Sequence, residues 1–362
     1  MSIQIIGLSD PLWKQTLQML RHDVYHLPEY LKLEARRHRS RPEAALIVDG
    51  DKVFFLPYLL RHCGHLTEPH TAESVFDLTS AYGYPGILLS EAAVHSPHFL
   101  QTALNQLLSL WRERHICSAF FRLHPILNAH LNQVYSPAIC QITGETIGVN
   151  LHLSKEEIWR QTRSDHRKDI NRGKRNGFVA KMVSFKEYID EFVAIYKETM
   201  NRVKARQSYY FTYDFFLDLL SLDEKLHLGI VEIEGQMACG CLITECCGIV
   251  QTYLGGTKQQ YLSQAPDKIL FDYVRFWAKE RGNEVFHLGG GVGSSKDGVY
   301  QFKAGFSKQR YPFLTLRLIV DQQKYGHLVD CRAKSLQVDI DTLLNTKFFP
   351  AYRDLALPGG SL

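Results

Sequence analysis

The chain contains the same order of elements twice: an apolar hairpin, an amphipathic helix and a short apolar strand. In the first half, strand-like runs at 44–48 and 53–60 are joined by Asp49-Gly50-Asp51, and Asp-Gly between apolar runs is a strong hairpin signal. A helix over 99–114 and a strand over 119–123 follow. The second half predicts a three-stranded meander, a helix and a strand, at 226–234, 237–245, 249–254, 266–281 and 284–288.

This duplication constrains the fold class. Its period of about 165 to 185 residues far exceeds a solenoid repeat and predicts two similar domains, with chance similarity of the halves as the alternative. A chain of 362 residues is also long enough for two domains of about 150 residues each. Because helices and strands are mixed around a meander, we predict an α+β (mixed α/β) fold. We expect a first domain over 1–150, a second over 151–320, and a C-terminal segment over 321–362 that packs on the first.

Charge and hydropathy exclude several classes of protein. Lys and Arg total 42 against 38 Asp and Glu, and this net charge of +4 is too small for histone-like wrapping of nucleic acid, so no DNA partner is expected. The longest apolar runs, such as 54–60, are far shorter than the roughly 20 residues that cross a bilayer. The first residues do not resemble a signal peptide. We therefore expect a cytoplasmic location.

The residue patterns predict neither a metal site nor a standard hydrolase nucleophile. Cys239, Cys241, Cys246 and Cys247 form no C-x-x-C pair, and two adjacent cysteines chelate a single zinc ion poorly. No G-x-S-x-G motif is present. The candidate chemistry must therefore come from other motifs.

The first such motif is a basic helix. Ser154-Lys155-Glu156-Glu157 is a capping-box pattern that predicts one helix running to about Asn176. Its basic residues between 160 and 175 are Arg160, Arg163, Arg167, Lys168, Arg172, Lys174 and Arg175. Arg163 and Arg167 lie one turn apart and could grip a phosphate together. The alternatives are a solvated charged face and a phosphate-binding face for a nucleotide, a lipid diphosphate or RNA.

Three loops are further candidates. The glycine-rich segment 288–295 follows a predicted strand and lacks the Walker and dinucleotide-binding spacings, so it is either a flexible loop or a close approach to a ligand oxygen. Just beyond it, Lys303 is enclosed by aromatic residues, where an ammonium could stabilise an oxyanion, although a snorkelling surface lysine fits the spacing too. The segment Ser80–Gly86 contains Tyr82 and Tyr84 and suits either a substrate wall or a plain turn.

Taken together, these motifs resemble the FemABX-like branch of the GNAT superfamily, which includes peptidoglycan-bridge aminoacyltransferases and exopolysaccharide acyltransferases. The resemblance spans most of the chain, and its most specific parts are Leu288-Gly289-Gly290 and Phe302-Lys303-Ala304-Gly305-Phe306. Its other carriers are Tyr82-Gly83-Tyr84-Pro85-Gly86, Phe121-Arg122-Leu123-His124-Pro125 and the basic stretch from Arg167 to Gly177.

The resemblance implies tandem GNAT-like acyl-CoA N-acyltransferase domains with central mixed sheets. It also implies that Lys303 is the catalytic lysine, and that the basic helix contacts phosphates of a precursor or a donor. The candidate substrate-binding residues are Tyr82, Tyr84, Arg122, Arg163, Arg167, Arg172, Tyr253, Gly289, Gly290, Phe302 and Phe306.

The implied function is acyl or aminoacyl transfer that forms an amide on an amino group of a nucleotide- or lipid-linked cell-envelope precursor, of peptidoglycan or of a surface polysaccharide. No permanently bound cofactor is expected. The donor is left open between aminoacyl-tRNA, which would make tRNA a partner, and acyl-CoA. Peripheral association with a membrane is left open as well.

Two departures from the family pattern bear on the donor. The coiled-coil insertion of some bridge-forming members is missing, which weakens any claim to the particular tRNA contact of those members. The Arg/Gln-x-x-Gly-x-Gly/Ala loop that binds CoA pyrophosphate is also absent, and residues 255–266 stand in its place. The alternative functions are a non-catalytic RNA-binding or scaffold protein that uses the basic helix 160–175, and a GNAT-like module without activity.

Overall fold

A computed structural model describes residues 1–64, 74–346 and 348–354 of the chain. The chain divides into two compact units. Unit 1 consists of Met1–Thr143 with Phe313–Leu362, and unit 2 consists of Gly144–Pro312.

Strands and helices are mixed in both units, as predicted. The strands are β1 (Ser2–Gly7), β2 (Arg41–Asp49), β3 (Lys52–His62), β4 (Phe76–Thr79), β5 (Leu88–Leu89), β6 (Ile116–Arg122), β7 (Cys140–Asn150), β8 (Val179–Val183), β9 (Leu226–Ile233), β10 (Gln236–Cys246), β11 (Ile249–Thr257), β12 (Val285–Gly289) and β13 (Arg310–Ile319). The α-helices are α1 (Pro11–Met19), α2 (Pro28–His38), α3 (Glu91–Val94), α4 (Pro97–Glu113), α5 (Lys155–Gln161), α6 (Ser164–Arg175), α7 (Phe185–Arg202), α8 (Tyr213–Leu219), α9 (Pro266–Glu280), α10 (Gly298–Ala304), α11 (Gln322–Leu336) and α12 (Ile340–Leu344). None of these helices combines the length and the apolar character that a bilayer crossing requires.

In unit 1 the strand order is β1-β2-β3-β4-β6-β13, with β5 on β3. The predicted hairpin is confirmed, because β2 and β3 are antiparallel and Asp49 pairs with Lys52 across the turn. Helix α4 turns one apolar face to the sheet, since its buried residues recur at three-to-four spacing. These residues are Phe99, Leu100, Ala103, Leu104, Leu107 and Trp111, and they join the sheet side chains in one hydrophobic core.

In unit 2 the strand order is β7-β12-β11-β10-β9-β8. The predicted meander is confirmed, because β9, β10 and β11 are successive antiparallel neighbours. Strand β12 is parallel to β11 and is reached through helix α9, which is the crossover that a parallel pair needs. The β11–β12 register covers Ile249–Gln251 and Val285–His287 only, although β11 continues to Thr257. The two strands therefore separate towards the carboxyl end of β12.

The single basic helix predicted from Ser154 to about Asn176 is wrong, because the chain breaks into α5 and α6. The capping box at Ser154 and Glu157 is present, but Thr162 is extended, with φ −72° and ψ 130°. The Thr162 hydroxyl donates to the carbonyl of Ile158 at 3.1 Å and accepts from Arg275 at 2.7 Å. The break therefore gives the buried guanidinium of Arg275 one acceptor, and it places Arg160 on α5 and the other basic residues at or within α6.

Helix α7 lies very close to β11, and Gly256 makes this approach feasible. A Cβ at Gly256 would lie 2.8 Å from the Ile195 carbonyl oxygen and 2.9 Å from the Thr199 hydroxyl. We expect Gly256→Ala to lower the free energy of unfolding by about 1–3 kcal/mol, because the helix must move away from the strand. Urea unfolding of the full chain measures this change.

The control for this prediction is Gly326→Ala. Gly326 lies within α11, and a Cβ there would have no neighbour within 4 Å among the described residues. Alanine is the better helix former by about 0.5–1 kcal/mol, so this variant is expected to be slightly stabilised. An equal loss of stability in both variants would contradict the close approach of α7 and β11.

Candidate functional site

Lys303 lies in the last turn of α10, a helix that starts from a well-formed cap. The Asp297 carboxylate accepts hydrogen bonds from the backbone N–H groups of Tyr300, at 2.9 Å, and Val292, at 3.1 Å. This cap joins the helix to the glycine-rich segment before it. The Lys303 ammonium then donates to the carbonyl oxygen of Gly290 in that segment, at 2.7 Å.

Lys303 is part-buried, and burial dominates the pKa of its ammonium. Burial lowers the pKa of Lys303 from its ordinary value of 10.5 to about 8, although Cys241 and Asp297 act in the opposite direction. Burial raises the pKa of the neighbouring Cys241 thiol to about 12, so this thiol is uncharged at neutral pH. Apart from Gly290, no hydrogen-bond partner of Nζ is present in the described part of the chain. Two of the three ammonium protons are therefore available to a substrate.

The glycine segment that receives Lys303 lies directly against β7. A Cβ on Gly290 would lie 2.9 Å from the carbonyl oxygen of Glu145. Glu145 in turn accepts a hydrogen bond from Tyr300 and pairs with Lys296 at 2.9 Å. Of the two predicted glycines, Gly290 presents the carbonyl that holds the ammonium, and Gly289 precedes it as the last residue of β12.

The opening between β11 and β12 lies beside this lysine. Lys303 contacts Gly290 just after β12, and it interacts with Cys241 on β10, whose Sγ lies 3.3 Å from the Cβ position of Gly255 on β11. Tyr253 lies on β11 beyond the last pair with β12 and is part-exposed. The structure therefore brings Lys303, Gly290 and the strand that carries Tyr253 together around one opening within unit 2.

A buried polar cluster closes the narrow end of this opening. His287 on β12 is fully buried, and its two ring nitrogens lie 2.8 Å from the Gln251 side-chain oxygen and 2.8 Å from the Thr146 hydroxyl. Both ring nitrogens are therefore engaged within the protein. His287 and Gln251 form the last register pair of β11 and β12.

The start of α6 contacts the end of α10. The backbone N–H of Arg163 donates to the carbonyl of Gly305 at 2.8 Å, and its guanidinium donates to the carbonyl of Gln301 at 3.3 Å. The His166 Nε2 atom lies 2.9 Å from the carbonyl oxygen of Phe302. Three carbonyls around Lys303 are thus bonded to one short stretch of α6.

The aromatic residues of the lysine motif pack inwards. Phe306 is only 1% exposed, and its ring lies 4.9 Å from that of His166 and 5.6 Å from that of Phe271. Phe302 is part-buried and lies 5.2 Å from Phe271. Phe306 therefore supports α10 from the core side, and Phe302 lies between the core and the surface.

The predicted phosphate-binding arginines differ in their surroundings. Arg163 makes two bonds to Asp165, at 2.6 and 2.9 Å, and this contact holds the pKa of Asp165 well below its usual range. Arg172 pairs with Asp169 at 2.9 Å. Arg167 is part-exposed and has no acidic partner among the described residues. Arg163 and Arg172 would therefore have to share or exchange partners to hold a phosphate.

The remaining candidates lie in unit 1. The backbone of Tyr82 is held on α2, because its N–H donates to the buried Glu34 carboxylate at 2.9 Å and its carbonyl accepts from the Tyr30 hydroxyl at 2.9 Å. The ring of Tyr84 packs edge-on against Phe313. Arg122 ends β6, with its guanidinium 5.5 Å from the ring of Phe120. Tyr82, Tyr84 and Arg122 are all part-exposed.

Three residues of the lysine site were missed in the sequence. Cys241 and Asp297 lie 62 and 6 positions before Lys303 and have no motif that marks them. His166 could have been found from its spacing. It shares one helix face with Ile170 and Gly173, and these three are the buried residues of α6. A histidine on the buried face of an otherwise charged helix indicates a specific hydrogen-bond partner.

Comparisons with known proteins agree with this architecture. Residues 160–304 match the family described as "Acetyltransferase (GNAT) domain". No protein with a curated description matches the sequence.

Among solved structures, that of FemX has a TM-score of 0.66 at 11% identity and covers 90% of this chain and 99% of its own. The C-terminal domain (DUF2156) of a putative lysylphosphatidylglycerol synthetase from Agrobacterium fabrum has a TM-score of 0.53 at 14% identity, over 84% of this chain and 90% of its own. A protein of unknown function from Bacteroides thetaiotaomicron has a TM-score of 0.52 at 10% identity, over 87% and 99%. At such identities the likeness shows a shared fold. A GNAT acetyltransferase domain therefore occupies residues 160–304, within a chain that shares the fold of FemX.

Proposed function

We propose that this acyltransferase forms an amide on an amino group of a nucleotide- or lipid-linked cell-envelope precursor in the cytoplasm, using an acyl or aminoacyl donor. The observation that carries the proposal is the part-buried Lys303 ammonium, bonded to Gly290 beside the opening between β11 and β12. A desolvated cation with free protons stabilises negative charge far better than one in water.

The proposed reaction is attack of the precursor amine on the donor carbonyl. The new C–N bond places negative charge on the carbonyl oxygen, and Lys303 donates hydrogen bonds to this oxyanion. The C–O bond of an ester donor, or the C–S bond of a thioester, then breaks. Lys303 delivers a proton to the leaving oxygen or sulfur, and the proton lost by the attacking nitrogen restores the ammonium. A pKa of about 8 suits this transfer, since it lies close to the working pH.

The start of α9 bears on whether CoA is the donor. The N-terminus of a helix that follows a strand is a common phosphate site, so CoA could bind there through its pyrophosphate. Pro266 at the first position has no N–H, and the Asp267 carboxylate accepts from the backbone N–H of Lys268 at 2.9 Å. Burial raises the pKa of Asp267, and the neighbouring Asp169 carboxylate raises it further. Lys268 is itself bonded to Asp169 at 2.7 Å.

A pyrophosphate at this helix end would therefore meet two carboxylates, and the nearby ammonium of Lys268 is already paired. These residues do not fit CoA bound through its pyrophosphate at α9. We accordingly propose an aminoacyl-tRNA ester as the first donor to test, and acyl-CoA bound in another manner as the second.

Two observations support a phosphate-bearing envelope precursor as the acceptor: the positive charge of α6 and one protein of similar fold. Arg167 and Lys168 are exposed or part-exposed on α6 and have no acidic partner among the described residues, so they can meet precursor phosphates. The protein of similar fold is the putative lysylphosphatidylglycerol synthetase from Agrobacterium fabrum. A lipid-linked precursor would bring the chain to a membrane surface, and we propose such peripheral association only in this bound state.

High-resolution mass spectrometry of nucleotide- and lipid-linked precursors tests the proposal. Precursors are compared from cells that lack the gene and from cells complemented with the wild type, Lys303→Ala or Lys308→Ala. Lys308 is an exposed lysine five residues away and serves as the matched control. We expect a mass increment with the wild type and Lys308→Ala that is absent with Lys303→Ala, and its size identifies the transferred group.

The donor is then assigned with purified protein and that precursor, supplied with either aminoacyl-tRNA or acyl-CoA. Identical precursor pools in all strains would overturn the proposal and favour the RNA-binding function of the basic residues. That function predicts RNA affinity that falls steeply with salt and does not depend on Lys303.

A further inference from the structure

We propose that His166, on the buried face of α6, is a positioning residue that holds the end of α10 and thereby fixes the Lys303 ammonium at Gly290. The role of Lys303 in acyl transfer rests on the proposed function, whereas the contact between His166 and α10 is independent of it. His166 acts through the backbone of Phe302, one residue before Lys303.

Helix α10 needs support from outside its own residues. It has seven residues, and a helix this short is marginal without tertiary contacts. Its last carbonyl groups also lack partners within the helix. The bonds from Arg163 to Gln301 and Gly305, and from His166 to Phe302, supply such partners at the end that carries Lys303.

The histidine ring has one tautomer that suits this contact. A carbonyl oxygen only accepts, so Nε2 of His166 must carry the proton that bonds to Phe302. Burial lowers the pKa of His166, and Lys268 and Arg163 lower it as well, although the Phe302 carbonyl and Asp165 raise it. The ring is therefore neutral at pH 7.5. Its Nδ1 atom lies 3.5 Å from the guanidinium of Arg163 and 3.4 Å from the carboxylate of Asp165, and these two groups are bonded to each other.

The ring of His166 also fits closely against the end of α10. A Cβ on Gly305 would lie 2.3 Å from Nε2 of His166, so this ring occupies the space that any other residue at 305 would need. The ring packs between Phe302 and Phe306, with centroids 5.7 and 4.9 Å away. Loss of the ring would leave the last turn of α10 without its closest neighbour, and Lys303 would gain access to water.

The test compares His166→Gln with His166→Asn. The glutamine amide nitrogen takes the place of Nε2 and can still donate to Phe302, whereas the asparagine amide is one methylene shorter and cannot reach. His152→Leu, at an exposed histidine of the same unit, is the control. Where His166→Asn does not fold, His166→Leu, which fills the volume without a donor, replaces it with the same expectation.

Two measurements are made on each variant. The first is the pH dependence of Lys303 acetylation by acetic anhydride, followed by mass spectrometry, which reports the state of the lysine without any substrate. We expect a midpoint near pH 8 in the wild type, His166→Gln and His152→Leu, and a rise of at least one pH unit in His166→Asn.

The second measurement is that of kcat and KM for transfer. Here we expect a fall in kcat of about 10- to 100-fold in His166→Asn only, with KM unchanged.

The outcomes separate the two proposals. A folded His166→Asn with an unchanged acetylation midpoint would overturn the positioning role, whatever its activity. A raised midpoint together with no transfer by any protein, the wild type included, would retain the positioning role and reject the proposed function. An equal loss of kcat in His166→Gln and His166→Asn would show that activity depends on packing of the ring rather than on the bond to Phe302. This result would also overturn the proposal.

Discussion

Lys303→Ala is expected to lower kcat for acyl transfer by about 10²–10³-fold and to leave KM within about twofold. Removal of one donor to an oxyanion typically has an effect of this size, because the donor acts on charge that develops only in the transition state. Among the described residues the ammonium donates to Gly290 alone, so its removal breaks one hydrogen bond within the protein. Steady-state kinetics with the identified donor and precursor measure the change.

The pH dependence of kcat provides a second test of the role of Lys303. Because burial lowers the pKa of Lys303 to about 8, the protonated and active form predominates below pH 8 and is lost as the pH rises through that value. We expect kcat of the wild type to fall on the alkaline side with a midpoint near 8. In Lys303→Arg the guanidinium stays charged to far higher pH, so whatever activity remains should show no such fall. An alkaline limb that persists in Lys303→Arg would assign it to another group.

Local sequence patterns predicted the sheet-forming parts of the fold well. The β2–β3 turn at Asp49-Gly50 and the β9–β11 meander each depend on residues that are close together in the sequence. The structure confirms both predictions. Helix α9 and strand β12 also lie where the hydrophobic periodicity places them. Such elements depend mainly on short-range patterns and on burial of one face.

The break at Thr162 shows why the helix boundaries and the surroundings of the candidate site were not predicted from the sequence. The capping box at Ser154 marks the start of a helix, but the residues that end it are Arg275 and Gly305, more than 110 positions away. The same holds for Lys303 on α10, whose aromatic neighbours are close in sequence while its thiol neighbour Cys241 lies on β10. Local patterns contain no information about such partners, so the environment of the candidate site had to come from the tertiary structure.

The largest effect on stability is expected at Asp77, far from Lys303 in sequence. Its side chain is fully buried in unit 1. It bonds to Arg61 at 2.8 Å, to the hydroxyl of Tyr352 at 3.0 Å, and to Arg353. The Tyr352 hydroxyl also bonds to Ser118 at 2.7 Å, so the carboxylate on β4 links β3, β6 and residues 352–353.

Asp77→Ala is accordingly expected to lower the free energy of unfolding by about 3–5 kcal/mol, because two guanidinium groups and a hydroxyl would lose their common acceptor in a buried place. Urea unfolding followed by tryptophan fluorescence measures the change, since Trp13 and Trp111 are buried in unit 1. Asp330→Ala is the matched control: its exposed pair with Lys334 should contribute less than about 1 kcal/mol.

The pH dependence of the Asp77 effect has a definite sign. Burial raises the pKa of Asp77, but Arg61 and Arg353 outweigh burial and hold that pKa below its usual value of 3.8. The contribution of Asp77 is therefore complete above that value and is lost as the pH falls through the folded-state pKa, so the wild type and Asp77→Ala should converge in stability in strong acid. A stability difference that stays constant into strong acid would mean that packing, rather than charge, accounts for the effect of Asp77.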